Sequence, residues 1–483
     1  MDGSRLISPF WRRFPGPPRQ VADIAPFPGT GFPLARFPST LSFARIFPAF
    51  LFAAIALPFS GRSQQDSLSG WSYHFQITTV IQGHPAFRAA YSGTNSLRDS
   101  GETAISLTST LFFGRRLWNG AAFYLDPEIA GGTGLSSTLG IAAFPNGETF
   151  RIGDPKPQLY FGRAFIRQHI ALAHRRIDTL GDGDNQISEE VSSDRLDITL
   201  GKLALSDLLD DNEVSHDPRT DFLNWGFMNN GAWDYAANTR GYTYLLALEL
   251  IHPGWALRLA EALEPVYANG PTLNFNLTRT QSENLELDKE IHIGSNPGHF
   301  RLLGYLNNNE GPGYQQVLDE KKTGTDTTLD VVHGKTYGHI KYGGGLNIDQ
   351  QFSPAVSAFL RAGWNDGKTA TWAFANIDET LAGGIRISGA GWKRPKDQIG
   401  LAGLVDGISS IHRAFLNGGG YDFMIGDGKL TRYGPETILE CYYQTCFLQS
   451  LFLTADYQFV AHPAYNLDRG PVQIFSLRTH VEF

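Results

Sequence analysis

An all-β chain, folded either as a two-sheet sandwich or as a closed transmembrane antiparallel barrel, is what three observations in this sequence predict. The first is alternation. The closing run puts Leu477, Thr479, Val481 and Phe483 on one face and Ser476, Arg478, His480 and Glu482 on the other, the period of two that gives a strand one oily and one wet side. The second is that two preceding runs repeat it: Leu439, Cys441, Tyr443, Thr445 and Phe447 oppose Glu440, Tyr442, Gln444 and Cys446, and Leu453, Ala455, Tyr457 and Phe459 oppose Thr454, Asp456 and Gln458. The third is that no run after residue 60 approaches the roughly 18 apolar residues a membrane helix needs. If this chain spans a membrane, it does so with strands. The pattern alone fits a sandwich, whose oily face meets a second sheet, or a barrel, whose oily face meets lipid around a watery lumen.

Taken in order, residues 1–45 are rich in Pro, Phe and Arg without periodicity, and the apolar run Ile46 to Phe59 follows. A basic flank, a short apolar core and then Ser60 and Gly61 read as a secretory signal peptide, too short to be a membrane anchor. Residues 1–61 are therefore assigned to an N-terminal extension plus signal, with a later translation start as a further expectation, and 62–483 to a single barrel domain. From Trp71 onward, short alternating runs are separated by Gly, Asn, Asp and Pro clusters, with no linker. Wet faces read as Tyr124, Asp126 and Glu128; as Arg163, Phe165, Arg167 and His169; as Arg195, Asp197 and Thr199; and, further on, as Glu286 to His292 in steps of two, Arg301 with Tyr305, and Phe359, Arg361 and Asn365. Such even spacing suggests a meander of hairpins. Between the runs at Leu200 and Tyr242 lies an insertion, Ser206 to Arg240, dense in Asp, Asn, Trp and His, and a long structured loop is where function concentrates.

Charge and cysteine narrow the class. The chain carries −8 in total, and residues 1–61 contribute six Arg against Asp2 and Asp23, or +4, which leaves −8 − 4 = −12 for the rest. An acidic body argues against nucleic acid as a partner. Cys441 and Cys446 lie five positions apart on one predicted strand, so they face opposite sides about 16 Å apart, too far for a disulfide. Two cysteines also exclude a cysteine-rich zinc module.

Phe483 resembles the aromatic C-terminal signal that barrel-assembly machinery reads in outer-membrane proteins. Several long blocks carry a more specific likeness: GGTGLSSTLGIAAFPNGETFRIG (131–153), DDNEVSHDPRTDFLNWGFMNNGAWDYAANTRGYTY (210–244), RAGWNDGKTATWAFANID (361–378), and GPETILECYYQ with DYQFVAHPAYNLDRGPVQIFSLRTHVEF near the end. In these blocks and their order, the sequence from about Trp71 to Phe483 resembles the carbohydrate-selective outer-membrane porins of the OprB family. The resemblance implies an antiparallel barrel of about 16 strands with short periplasmic turns, long outer loops and inward-folded segments. It implies passive diffusion of monosaccharides and similar small polyols across the outer membrane of a Gram-negative-type bacterium. The partners would be outer-membrane lipid and lipopolysaccharide and, through Phe483, the assembly machinery; monomer and homotrimer stay open. The departures are the Pro-rich preface and the insertion DGDNQISEE at 182–190.

A sugar is neutral and covered in hydroxyls, so its site calls for planar donors, paired acceptors and an aromatic face. Arg163 and Arg167 on one predicted strand and Tyr124, Asp126 and Glu128 on another offer these. The alternative is a lumen wall whose arginines and carboxylates merely neutralise one another. In the insertion, Asp211, Asn212, Asp217, Arg219, Trp225 and Trp233 suit a constriction that sorts hydroxylated solutes. The alternative there is a loop folded on itself, with Asp and Asn serving turns and the tryptophans packing or sitting at the bilayer interface. Asp178 to Glu190 fails as a calcium loop, because Leu180 occupies a ligand position, and it reads as a solvated surface loop. No Gly-x-Ser-x-Gly, His-Glu-x-x-His or phosphate-loop motif occurs, so no enzyme, cofactor or metal site is expected. A general or structural outer-membrane barrel and a soluble glycan-binding β protein stand as the other functional classes.

Overall fold

The alternating runs pair in the order in which they occur, as antiparallel strands joined by tight turns do. The protein is described by a computed structural model over residues 70–483, apart from 150–154, 174–175, 326, 330, 332–337 and 375; the predicted extension and signal peptide lie outside the described residues. The first strands are β1 (Trp71–His84), β2 (Glu102–Trp118), β3 (Ala121–Gly132) and β4 (Gln158–Ala171). A small pair, β5 (Ile177–Leu180) and β6 (Glu189–Ser192), precedes β7 (Arg195–Leu203), β8 (Thr243–His252), β9 (Trp255–Ala262), β10 (Gln281–Ile293) and β11 (Asn296–Asn309). Then come β12 (His339–Ser353), β13 (Val356–Asn365), β14 (Glu379–Ser388), β15 (Gln398–Gly407), β16 (Glu436–Leu448), β17 (Leu451–Ala461) and β18 (Val472–Glu482).

All but β5 and β6 close into one barrel of sixteen strands, with β4 beside β7 and β18 returning to β1. Closure runs from Gln76 opposite Glu482 to Gly83 opposite Phe475. Phe483 extends it: its N–H donates to the Phe75 carbonyl at 2.9 Å and the two rings stack at 6.4 Å. The sandwich alternative is thereby replaced by a barrel without a free edge. Pro127 sits where the β3–β4 register shifts by one residue, as expected of a residue with no N–H to donate to a ladder.

The two faces separate as the alternation predicts. Leu439 and Leu477 are about half exposed on the outside, while Glu440, Gln458 and Arg478 are buried on the inside. Val481 has the outward parity but is only 9% exposed, flanked in register by Ile77 and Leu451. Among the described residues no helix is long and apolar enough to cross a membrane.

At the end that holds Trp71 and Glu482, the connections 119–120, 253–254, 294–295, 354–355 and 449–450 are two residues long. The long loops lie at the other end, and the longest, 204–242, folds into the lumen. It carries a 3-10 turn at Leu205–Asp207 and one α-helical turn, α1 (Trp225–Met228), and its Phe222, Trp225, Phe227 and Trp233 are no more than 1% exposed. Phe222 meets Tyr442 of β16 edge-on at 5.1 Å and Phe359 of β13 at 5.7 Å, and Trp225 stacks on Phe144 at 5.5 Å. The lumen thus contains a hydrophobic core.

A loop buried this way must have its backbone polar groups satisfied, and wall side chains do so. Arg361 and Arg478 donate to loop carbonyls, Glu440 accepts from the N–H groups of Leu223 and Asn224, and Glu286 accepts from Asp210 N–H. Where the loop comes closest the wall has glycine: a Cβ at Gly363 would sit 1.9 Å from Oδ1 of Asn230.

One expectation is corrected. The stretch 178–190 is not a solvated surface loop but the β5–β6 hairpin, anchored by Ile187 at 1% and Val191 at 5% exposure. Its own period-two pattern, Ile187, Glu189 and Val191 inward with Glu190 outward, gives it an apolar face that the acidic composition conceals.

Candidate functional site

Four positions on one strand keep one face, and Arg163 and Arg167 of β4 both point into the lumen beside Phe165. Their partners differ. Arg163 donates from Nε and Nη2 to the two carboxylate oxygens of Asp207 at 2.6 Å each, and from Nη1 to Asp126 at 3.4 Å. Asp207 closes the turn after β7, where its carboxylate also accepts Ala204 N–H at 3.0 Å. Such a bidentate pair leaves Arg163 little donor capacity for a solute. Arg167 makes only two long hydrogen bonds, to Thr199 Oγ1 at 3.3 Å and the Asn185 carbonyl at 3.4 Å. Among the described residues no carboxylate is in ion-pair contact with it.

Both arginines line a cavity of about 370 Å³, within the range of small-molecule sites. Gln76, Phe112 and Phe165 from the wall contribute to it, with Asp207, His216, Asp217 and Arg219 from loop 204–242. The hairpin adds Asp184, Asn185 and Gln186. An apolar patch, a guanidinium fork and several carboxylates around one space meet the requirements of a polyhydroxylated solute.

The remaining predicted residues are placed unequally: Asp217 and Arg219 also line the cavity, and the others do not. Tyr124 is buried, stacked on Phe165 at 4.9 Å, with its hydroxyl accepting Ile187 N–H at 3.3 Å. Asp126 accepts from Asn185 Nδ2 at 3.0 Å. Glu128 is fully buried and accepts from Thr110 at 2.8 Å, from Tyr242 at 3.1 Å and from the Tyr160 hydroxyl. Arg219, which also lines the cavity, pairs with Glu148 at 2.9 Å and Glu128 at 3.5 Å. Asn212 turns the loop by accepting from Val214 N–H and Ser215 N–H, and its amide reaches Asn347 at 2.7 Å. Asp211 is exposed away from the cavity lining, and its Oδ1 accepts Asn212 N–H at 2.8 Å. Asp217 accepts Arg219 N–H at 2.9 Å and does line the cavity. Trp225 and Trp233 offer no face to a solute: the first stacks on Phe144, and the second donates to Asn284 at 3.0 Å. Of the eleven, Arg163, Arg167, Asp217 and Arg219 meet at the cavity. Asp207, Asp184 and Gln186 are among the lining residues the sequence did not single out. Their one signal is that they fall in, or at the start of, the two acidic insertions.

At the loop end, α2 (Tyr314–Thr323) and α3 (Ser410–Asn417) meet over a buried His412. Its Nδ1 lies 3.0 Å from Asp378 and its Nε2 2.7 Å from Asp422. Burial opposes the charge, but the two carboxylates outweigh it and raise its pKa to about 9.

The profile of the carbohydrate-selective porins, OprB family, matches residues 94–483. The chain belongs to the OprB family. This OprB-family protein is accordingly a carbohydrate-selective porin of the outer membrane, not an enzyme. The Pseudomonas putida OprB structure at high pH superposes with a TM-score of 0.64 at 16% identity, over 86% of this chain and 94% of that one, and shares the sixteen-stranded barrel. The low-pH structure of the same protein gives 0.45 at 13% identity, over 86% and 93%. The outer membrane channel DcaP of Acinetobacter baumannii gives 0.48 at 9%, over 86% and 99%. No functionally curated protein matches the porin.

Proposed function

We propose that the selective step for monosaccharides and small polyols is a weak, quickly released stop in the cavity beside Arg167. The observation that carries this reading is the unequal saturation of the two arginines, since Arg163 is engaged by Asp207 while Arg167 holds only two long hydrogen bonds. A passage site must favour entry without preventing exit. One uncommitted guanidinium offering one or two hydrogen bonds suits that better than a fully built pocket. Phe112 and Phe165 contribute to the cavity wall beside it.

Planar-bilayer recording with sugar titration tests the reading. Arg167→Ala should shift half-saturation of sugar block to higher sugar by about fivefold for each hydrogen bond of roughly 1 kcal/mol lost. Arg163→Ala should alter ion preference more than sugar block, because its removal chiefly leaves the Asp207 charge unpaired. Equal sugar block in Arg167→Ala and the unaltered protein would refute the site.

A further inference from the structure

The connection from β4 to β7 leaves the barrel at the end where five other connections are two-residue turns, yet it holds the whole β5–β6 hairpin. Its ladder runs on past Leu180 opposite Glu189, because Gly183 and Gln186 exchange both backbone hydrogen bonds at 3.0 Å in the same register. The tip is therefore a two-residue turn, Asp184–Asn185. Asn185 has φ 55°, in the left-handed region that asparagine tolerates.

The tip lies against the inner face of four consecutive strands. His74 of β1 meets Asp182 at 3.3 Å, and Arg116 of β2 donates to the Ser188 carbonyl at 2.8 Å. Asn185 Nδ2 donates to Asp126 of β3 at 3.0 Å, and Arg167 of β4 to the Asn185 carbonyl. Ile187 fills the space over Gly114, where a Cβ would come within 3.0 Å of it. The hairpin thus enters the lumen from the end opposite to loop 204–242, and the two meet across one cavity: Asp184 and Gln186 from the hairpin, Asp207, His216 and Asp217 from the loop, with Arg163 and Arg167 of the wall lining it as well.

We propose that this hairpin is a second selectivity element: it forms the floor of the sugar cavity, supplies the Asp184 carboxylate to the space that Arg163, Arg167 and Arg219 also line, and limits solutes to about one sugar ring. The proposal rests on reading the cavity as the sugar path. A carboxylate and a guanidinium lining one space can take neighbouring hydroxyls of one ring as acceptor and donor together. A floor fixed by Ile187 and the wall contacts restricts length, which a ring of charges alone would not do.

The test shortens the hairpin by joining Leu180 to Glu189 through Asn-Gly, a pair that favours two-residue hairpin turns. Three residue pairs are removed, which withdraws the tip by about 10 Å. In bilayers the shortened porin should show higher ion conductance and severalfold weaker glucose block. In liposome swelling it should admit maltotriose, and the unaltered porin should exclude it. The second variant keeps the hairpin: Asp184→Cys, in a background carrying Cys441→Ser and Cys446→Ser, treated with a charged thiol reagent on the periplasmic side. Its current should fall, and saturating glucose should slow the reaction. Unchanged conductance and glucose block in the shortened porin, or a current indifferent to the reagent, would overturn the proposal while leaving the Arg167 site standing. Absence of glucose block in the unaltered porin would instead overturn the cavity reading on which the proposal rests.

Discussion

Arg361 holds the inward loop, and its removal has a calculable consequence. The side chain is fully buried on the inner face of β13, with Nη1 donating to the carbonyls of Ser215 at 2.8 Å and Phe227 at 2.6 Å, and Nη2 to that of Asp210 at 3.0 Å. Its Nε lies 3.2 Å from the Asp210 carboxylate, which also accepts Asn230 N–H at 2.7 Å and Asn347 Nδ2 at 2.8 Å. Arg361→Met keeps most of the volume and removes every one of those donors, leaving three carbonyls short and a buried carboxylate without its cation. Breaking a buried pair from one side costs about 3–5 kcal/mol, and water entering from the lumen keeps the total from exceeding that range by much. The docked loop should then lose about two to four decades in its equilibrium against the undocked state. Barrel strands are untouched, so heat-modifiable mobility on gels should persist. Single-channel records should gain larger, flickering openings, and added protease should cut within 204–242. Arg361→Lys, a point charge without the planar fork, should fall between. A steady conductance equal to that of the unaltered porin, with the loop still protected, would refute the view that wall side chains hold the loop in place.

Two other outcomes follow from the lipid face and the loop end. Leu477, mid-strand on β18 and 49% exposed outward, should tolerate lysine poorly: Leu477→Lys costs about 2–4 kcal/mol near mid-membrane, so the fraction refolding into a heat-modifiable barrel should drop, and an undiminished yield would contradict the outward assignment. His412 has a folded pKa of about 9, above its ordinary 6.5. Its charge therefore contributes fully below about 6.5, on the order of 3 kcal/mol, and the contribution is lost as pH rises through about 9. Hydrogen-exchange protection in α3, with the intrinsic pH dependence of exchange divided out, should fall over that interval in the unaltered porin and show no such fall in His412→Gln.

Alternation is a local property, so the sequence by itself determined the strand faces: whether Leu439, Glu440, Leu477 or Arg478 points to lipid or lumen follows from position parity once a strand exists. The long matched blocks determined the family, and with it the carbohydrate-selective class. Closure did not follow from the pattern, because a sandwich strand has the same period; only the pairing of Gln76–Gly83 with Phe475–Glu482 decided it.

Which polar side chains are free was decided entirely by tertiary structure. Arg163 and Arg167 look equivalent on one strand, but Asp207, forty-four residues further on, engages one and leaves the other. Trp225 and Trp233 carry the composition of a sugar-stacking surface, yet distant Phe144 and Asn284 draw them into the core inside the lumen. The acidic stretch at 178–190 shows charge in the sequence, while the burial of its Ile187 depends on Gly114 of β2 and Tyr124 of β3. Periodicity fixes a face because neighbours along the chain impose it. Saturation of a hydrogen-bonding group depends on residues brought close only by folding, and no local pattern records them.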